Sequence, residues 1–323
     1  MGRALELIHR ADYLLNAYLP RFGESGQLNT YMFHVMLNDE SELARNLIQP
    51  QQRTTVEHLK IFLDAALETG VSFVTAKEIA AGLPRDGRYA WLTFDDGYFN
   101  NTRALPVLEE YEIPVTLFVS SGNVLENKGY WNDILQRELT ARGKSEAEIE
   151  KVGFAFHHLT HHEIEEKLTS AFGADALTPK SDLDRPLKPD ELKDMAAHRF
   201  VEIGNHTRHH AVLKNYSNEE ALAEIVGAGD DLENITGERP LSFSYPVGYF
   251  DELSIRQVKN AGIKVGVTVD RRRNSLPLSE DRMLTLGRHV IWARSSIREQ
   301  IASSAGTWSI FRTLRRIMKK DHY

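Results

Sequence analysis

Short apolar runs alternate with amphipathic stretches along most of the chain. The runs are of strand length, and the segment 55–70 instead places apolar residues on one helical face before Gly70. Strands that alternate with helices in this way predict βα units and a mostly parallel sheet, either open or closed into a barrel. The predicted strands are 31–37, 71–75, 91–94, 114–121, 200–204, 241–248, 264–270 and 286–291.

One polar region interrupts the alternation. Residues 123–188 are mostly helical in pattern, and we interpret them as a helical insertion that acts as a lid or a cap on the substrate side. The chain is otherwise expected to be a single catalytic domain over 1–323. Amphipathic helices are predicted at 1–20 and, rich in basic residues, at 300–323, both at the periphery.

Charge and composition exclude several classes of protein. The net charge of −7 argues against general nucleic-acid binding, and the absence of Cys excludes disulfides and thiolate chemistry. Charged residues interrupt the first 20 positions, so we expect neither a signal peptide nor a membrane span. We therefore expect a cytoplasmic location. The basic C-terminal helix would suit peripheral contact with the anionic inner membrane face, or it is an exposed tail. The oligomeric state stays open.

Two acids stand side by side where a predicted strand ends. Trp91 to Phe94 form the strand, and Asp95 and Asp96 follow it before Gly97. Adjacent carboxylates repel each other, and burying both would be costly unless a cation compensates them. Because chemistry in α/β folds gathers at the carboxyl ends of strands, a metal site is the interpretation we favour.

Histidine pairs at a spacing of four offer the complementary ligands. The pair His206 and His210 follows the predicted strand 200–204, and a helix would put both rings on one face. The pairs His157/His161 and His158/His162 lie in the polar insertion, where a solvated helix face or a second metal site are the alternatives. Two strand ends in one sheet can converge on one point, which favours a site of Asp96 with His206 and His210.

These motifs carry a family resemblance. "TFDDG" followed by "NHTRHH" resembles the first two motifs of the polysaccharide deacetylases, also called the NodB-homology fold or carbohydrate esterase family four. "YMFHVM", "LSFSYPVGYFD", "GVTVD" and "TLGRHVI" resemble further motifs, so the resemblance runs from about residue 30 to about 295. It implies a distorted (β/α) barrel of about seven strands with the helical insertion between the two metal-binding motifs.

The resemblance also implies roles for individual residues. Asp96, His206 and His210 would hold a divalent metal, most favourably Zn²⁺, with Co²⁺, Ni²⁺ or Mn²⁺ as alternatives. The ion would acidify a water molecule, and Asp95 would accept its proton as general base. The peptide N–H of Tyr245, before Pro246, would stabilise the oxyanion.

The chain departs from the family in two places. The third motif lacks the Arg that orients the base, and Arg288 is our candidate substitute. Asp270 either positions Arg288 or the base, or serves as a turn residue. The general acid is also not evident. His289 and His34 are candidates, with a substrate contact as the other possible role of His34. Strand alternation points His289 away from Arg288, and either His can be structural.

The expected activity is metal-dependent removal of an acetyl or formyl group from an amino sugar. The substrate would be a polysaccharide or a lipid- or nucleotide-linked precursor, with Trp131 as a candidate sugar contact or as core of the insertion. Two alternatives stay open: a catalytically weak glycan-binding homologue, and an amidohydrolase that acts on a non-sugar amide.

Overall fold

The computed structural model describes residues 25–50 and 54–305, together with Leu7, Arg10, Ala11 and Leu14. Apart from those four positions, the predicted helix at 1–20 lies outside the described residues, and so does the chain after residue 305. Among the described residues, no helix has both the length and the apolar character that a membrane crossing requires.

A single, mostly parallel sheet carries the fold. Its order is β7-β6-β5-β4-β3-β1-β8, with β2 on β3 and β9 on β1, and among the described strands only the β1–β8 pairing is antiparallel. The strands are β1 (Gln27–Phe33), β2 (Ser72–Phe73), β3 (Arg88–Phe94), β4 (Val115–Val119), β5 (Val201–Asn205), β6 (Ser242–Ser244), β7 (Val265–Val267), β8 (Asn274–Ser275) and β9 (Arg288–Val290).

The sheet curls into a nearly closed barrel. β9 pairs with β1 on one side, and Leu286, two residues before it, bridges to Val267 of β7 on the other. Seven parallel strands therefore form the ring, in the order β1, β3, β4, β5, β6, β7 and β9, which confirms the barrel that the family resemblance implied.

Strand alternation separates two layers of core. Trp91 of β3 faces the barrel interior with Phe118, while its neighbour Leu92 faces the outer helices, in line with the period of two along a strand. The same alternation carries Thr93 and Asp95 to the interior. β1 begins and ends earlier than the predicted run 31–37. Its parallel pairing with β3 starts at Gln27 and stops at Phe33, so His34 follows the strand.

Helices cover the outside of the barrel and build the insertion. They are α1 (Val56–Glu68), α2 (Ala76–Ala81), α3 (Leu105–Tyr111), α4 (Ser121–Glu126), α5 (Trp131–Ala141), α6 (Glu146–Phe156), α7 (His161–Phe172), α8 (Pro189–Ala197), α9 (Asn218–Thr236), α10 (Glu252–Asn260), α11 (Glu280–Met283) and α12 (Ile297–Ala305). Helices α5, α6 and α7 of the insertion share a small apolar core that includes Ile134, Phe156 and Leu168.

Candidate active site

The candidate site lies in a cavity at the carboxyl ends of the barrel strands. The cavity measures about 350 Å³ and is lined by Asp95 and Asp96 after β3 and by His206 and His210 after β5. The insertion forms the opposite wall, from Trp131 of α5 to His157 after α6. The strand ends thus bring together the two motifs that the sequence singled out.

Asp95 is held by a bidentate ion pair with Arg288. The two terminal nitrogens of Arg288 each lie 2.7 Å from one carboxylate oxygen of Asp95, and the Ser244 hydroxyl donates to the same carboxylate at 3.0 Å. Both residues are buried. Burial alone would raise the pKa of Asp95, but the Arg288 guanidinium and His206 oppose it and hold the pKa well below its usual range. Asp95 is therefore ionised, and its carboxylate is held in one orientation by Arg288 and Ser244.

Three further side chains converge beside it. Asp96 Oδ1 lies 3.4 Å from His206 Nε2 and 3.5 Å from His210 Nε2. Ligand atoms about 2.0–2.2 Å from one tetrahedral ion are roughly 3.4 Å apart, so this spacing suits a shared metal. Asp96 Oδ1 is buried and has no hydrogen-bond partner in the part of the chain that the structure describes. A cation is what would satisfy it, and the donor set fits a metal of the zinc class.

A backbone contact sets the tautomer of His206. Its Nδ1 lies 2.8 Å from the carbonyl oxygen of Ser244, which can only accept, so Nδ1 carries the proton and Nε2 is free to bind an ion. Burial would lower the pKa of His206, but the Asp96 and Asp95 carboxylates outweigh it and raise the pKa. Burial lowers the pKa of His210 to about 4.

His206 and His210 do not lie on a helix, contrary to the expectation from their spacing. They lie in a loop after β5, in which Thr207 (φ 62°) and His210 (φ 51°) are left-handed. Asp96 is left-handed as well, at φ 79°, and Gly97 follows at 89°, where a side chain would be strained. Such conformations cost about 1–3 kcal/mol each and concentrate at functional sites. Here the strained turns, and not helical periodicity, bring Asp96, His206 and His210 together.

Tyr245 lines the cavity, and its peptide N–H is the predicted oxyanion donor. This N–H donates to the carbonyl of Val267 at 3.2 Å, between β6 and β7, so its role toward an oxyanion stays a prediction. The Tyr245 ring is buried against Phe243 and Phe250, and Pro246 begins the turn that follows. Val247 lies in this turn and lines the cavity, a role that its sequence context did not indicate. Its φ is 59°. A left-handed β-branched residue is a marked exception that only the structure reveals.

Two candidate catalytic residues face away from the site. The Asp270 side chain is exposed and lies 3.8 Å from Arg272, while its main-chain carbonyl accepts the peptide N–H of Arg288. It therefore supports the backbone of Arg288 and does not position the base. His289 lies on the opposite strand face to Arg288, with its ring 5.9 Å from that of Tyr31, and is not among the residues that line the cavity.

His34 and Trp131 both line the cavity. One face of the Trp131 ring stacks on Phe156 at 5.6 Å, so this side chain also belongs to the core of the insertion. The expected helical pairs in the insertion are absent from the described residues: α6 ends at Phe156 and α7 begins at His161, which separates His157 and His158 from their partners.

The nearly closed barrel of parallel strands places the protein in the α/β-barrel class, and its strand ends carry an Asp-His-His cluster beside an arginine-held carboxylate. A sequence model of the family described as polysaccharide deacetylase matches residues 82–266. The chain belongs to this family, whose members are hydrolases that act on amide C–N bonds.

Individual relatives are more distant. YxkH of Bacillus subtilis (strain 168), which is named for the same family, is 23% identical over 230 residues, or 70% of this chain. The chain spans about 60% of that relative's length. The fold resembles that of the Streptococcus pyogenes deacetylase PplD, solved with acetate, with a TM-score of 0.60 and 17% identity over 87% of this chain and 99% of that one. BC0361, a polysaccharide deacetylase from Bacillus cereus, gives a TM-score of 0.59 and 18% identity over 87% and 69% of the two chains.

Proposed function

We propose that the protein removes an N-acetyl or N-formyl group from an amino sugar in a polysaccharide or its lipid- or nucleotide-linked precursor. A divalent metal, most favourably Zn²⁺, would be held by Asp96, His206 and His210. Family membership supports polysaccharide deacetylation as the reaction class. The observation that carries the finer proposal is the bidentate Arg288–Asp95 pair beside the Asp96, His206 and His210 cluster.

Each residue of the site has a separable task. When bound, the ion would supply Lewis acidity toward the substrate carbonyl and toward water. Asp95 accepts a proton from the attacking water, and Arg288 keeps this carboxylate ionised and fixes its rotamer. The cavity wall formed by the insertion excludes bulk water and contacts the sugar. His34 is our candidate for delivering a proton to the departing amine, since it lines the cavity and His289 does not.

The glycan-binding alternative rests on two features, the missing arginine of the third motif and the uncertain general acid. Arg288 from β9 makes the contact with Asp95 that the third-motif arginine would make, which argues against this alternative. The general acid stays a prediction. A non-sugar amide stays an alternative that an assay must separate, with an N-acetylated amino-sugar oligosaccharide and a cyclic ureide as the two test substrates.

The test exchanges the two adjacent acids one at a time. Asp95→Asn should retain bound Zn²⁺ and lower turnover of the N-acetylated oligosaccharide by about 10²–10⁴, because only the base is removed. Asp96→Asn is the matched variant and should lose Zn²⁺ measured by mass spectrometry. Full activity in Asp95→Asn would show that another group is the base, and unchanged metal content in Asp96→Asn would refute the ligand assignment.

A further inference from the structure

Tyr130, which directly precedes α5, joins the helical insertion to the turn that carries Asp95 and Asp96. Its hydroxyl donates a hydrogen bond of 2.5 Å to the main-chain carbonyl oxygen of Asp96. Tyr130 is only 2% exposed, so bulk water does not compete for this bond. A side chain of the insertion thus bonds directly to the backbone of a residue that we assign to the metal site.

The Asp96 carbonyl is held from two sides. Besides the Tyr130 hydroxyl, it accepts the peptide N–H of Ser120 at 3.1 Å, so both of its lone pairs are used. The next carbonyl along the chain, that of Gly97, accepts the peptide N–H of Leu187 at 3.0 Å, near the other end of the insertion. Asp96 has a left-handed φ of 79°, which costs conformational energy unless the surroundings hold it. Both ends of the insertion therefore help to hold this turn.

The ring of Tyr130 makes a second contact with the cluster. It packs edge-on against the His210 ring, with centroids 6.4 Å apart and ring planes at 81°. Its own position is fixed by the Tyr98 ring at 4.6 Å, and the Tyr98 hydroxyl in turn donates to Asp133 of α5 at 2.7 Å. Tyr130 therefore touches Asp96 and His210, which are two of the three residues in the Asp-His-His cluster.

The direction of the Asp96 carboxylate depends on its backbone. Asp96 Oδ1 lies 3.4 Å from His206 Nε2 and 3.5 Å from His210 Nε2, and a turn of the Asp96 peptide would change both distances. Metal sites need ligand distances within about 0.2 Å of their preferred values. Groups that orient metal ligands typically change metal affinity by about 10–100-fold when they are removed. The Tyr130 hydroxyl is placed to act in this way.

We propose that Tyr130 is a positioning residue of the metal site: its hydroxyl fixes the Asp96 peptide, and its ring orients His210. The inference rests on the metal site proposed above and extends it, because it makes the insertion part of the structure that binds the ion. Loss of the hydroxyl alone should leave the fold intact, since the Ser120 N–H still satisfies the Asp96 carbonyl. The effect of Tyr130→Phe should therefore fall on metal binding.

Zn²⁺ affinity, measured on the full chain by competition with a chromogenic chelator, tests the role of Tyr130. Tyr130→Phe should bind Zn²⁺ about 10–100-fold more weakly than the wild type, and the visible absorption band of its Co²⁺ form should change. Tyr31→Phe is the matched control, because Tyr31 is as deeply buried and its hydroxyl bonds to that of Ser304 at 2.9 Å in the outer layer of the core. It should keep the wild-type affinity, and circular dichroism should show that both variants are folded.

Wild-type affinity in Tyr130→Phe would overturn this inference and leave the proposed metal site standing. Equal losses in Tyr130→Phe and Tyr31→Phe would overturn it too, because the loss of any buried hydroxyl would then have the same effect. A wild type that binds no Zn²⁺ would instead refute the metal site itself, and the inference with it. If Tyr130→Phe does not fold, Tyr130→Met takes its place, since Met fills irregular space without a hydroxyl, and it must show at least the same loss.

Discussion

Arg288 uses all five of its N–H groups inside the barrel. Besides its two bonds to Asp95, it donates to the Thr93 hydroxyl at 3.2 Å, to the Ser244 hydroxyl at 2.9 Å and to the Thr268 carbonyl at 2.9 Å. The acceptors belong to three barrel segments: Thr93 and Asp95 on β3 and directly after it, Ser244 on β6, and Thr268 directly after β7. The arginine therefore fixes the orientation of Asp95 relative to the ends of these three strands, which a single point charge could not do.

We expect Arg288→Lys to lower turnover by roughly 10–100-fold at unchanged metal content, because an ammonium group offers three N–H donors without a planar fork. The exposed Arg298, which pairs with Glu68 at 2.6 Å, provides the control substitution Arg298→Lys. Steady-state kinetics and bound metal are measured for both. Equal turnover in the two variants would mean that the guanidinium geometry does not matter to the base.

His34 and His289 can be compared directly. His34→Gln should lower turnover because it removes a titratable side chain from the cavity wall, whereas His289→Gln should leave turnover nearly unchanged because that ring faces Tyr31. The measurement is turnover of the same oligosaccharide across pH 5 to 9. A larger loss in His289→Gln would reverse the two assignments.

At the scale of secondary structure, apolar runs and strand alternation predicted more of the structure than the four-residue spacing of the histidines did. Apolar runs located most strands, and alternation along β9 predicted that Arg288 and His289 would face opposite sides. The prediction that the histidine pairs of the insertion lie on one helix was wrong. The sequence nevertheless contains the signal for the helix boundary between them. Thr160 and Glu163 form a capping box, Thr-x-x-Glu, that starts α7 at His161.

Other features had no local signal. The Val267 carbonyl binds the Tyr245 N–H only because β6 and β7 pair in one particular register, which a single sequence does not specify. Glu224 joins His209 because α9 folds back over the loop, and the left-handed turns at Thr207 and Val247 involve residue types that rarely adopt them. These contacts depend on tertiary structure.

Helix α5 is anchored by the buried carboxylate of Asp133. Its oxygens accept the Gln49 N–H at 2.6 Å and the Tyr98 hydroxyl at 2.7 Å. Burial, together with the Asp96 and Asp184 charges, raises the pKa of Asp133 to about 7, against the opposing effect of those hydrogen bonds. A raised folded-state pKa stabilises the fold at low pH, and this stabilisation is lost as pH rises toward 7.

We therefore expect Asp133→Asn to remove a pH dependence of stability. The free energy of unfolding of the variant, relative to wild type, should rise between about pH 4 and pH 7, by an amount on the order of a few kcal/mol. Urea unfolding at several pH values measures it. Asp64→Asn, which alters an exposed Asp–Tyr contact of 2.9 Å to Tyr111, is the control and should show no such trend. A flat difference for Asp133→Asn would mean that this carboxyl group titrates normally.

At the scale of the whole molecule, closure of the barrel places Arg288 beside Asp95. Leu286 is fully buried in the interior core, and its backbone exchanges hydrogen bonds with β7: its N–H donates to Gly266 and its carbonyl accepts from Thr268, both at 2.8 Å. Two residues later the chain joins β1 on the other side of the gap. The segment that completes the ring is thus the one that positions the Asp95 carboxylate.

Leu286→Ala should consequently affect both stability and turnover. The cavity it leaves should lower the free energy of unfolding by about 2–5 kcal/mol, and the loosened segment should also lower turnover at temperatures where the variant is folded. Leu63→Ala is the matched substitution, since Leu63 of α1 is equally buried but packs in the outer layer. It should cost a similar free energy of unfolding and leave turnover close to that of the wild type. Denaturant unfolding and kinetics below both transitions separate the two effects, and equal turnover in both variants would show that Arg288 is held by its own hydrogen bonds without help from the closing segment.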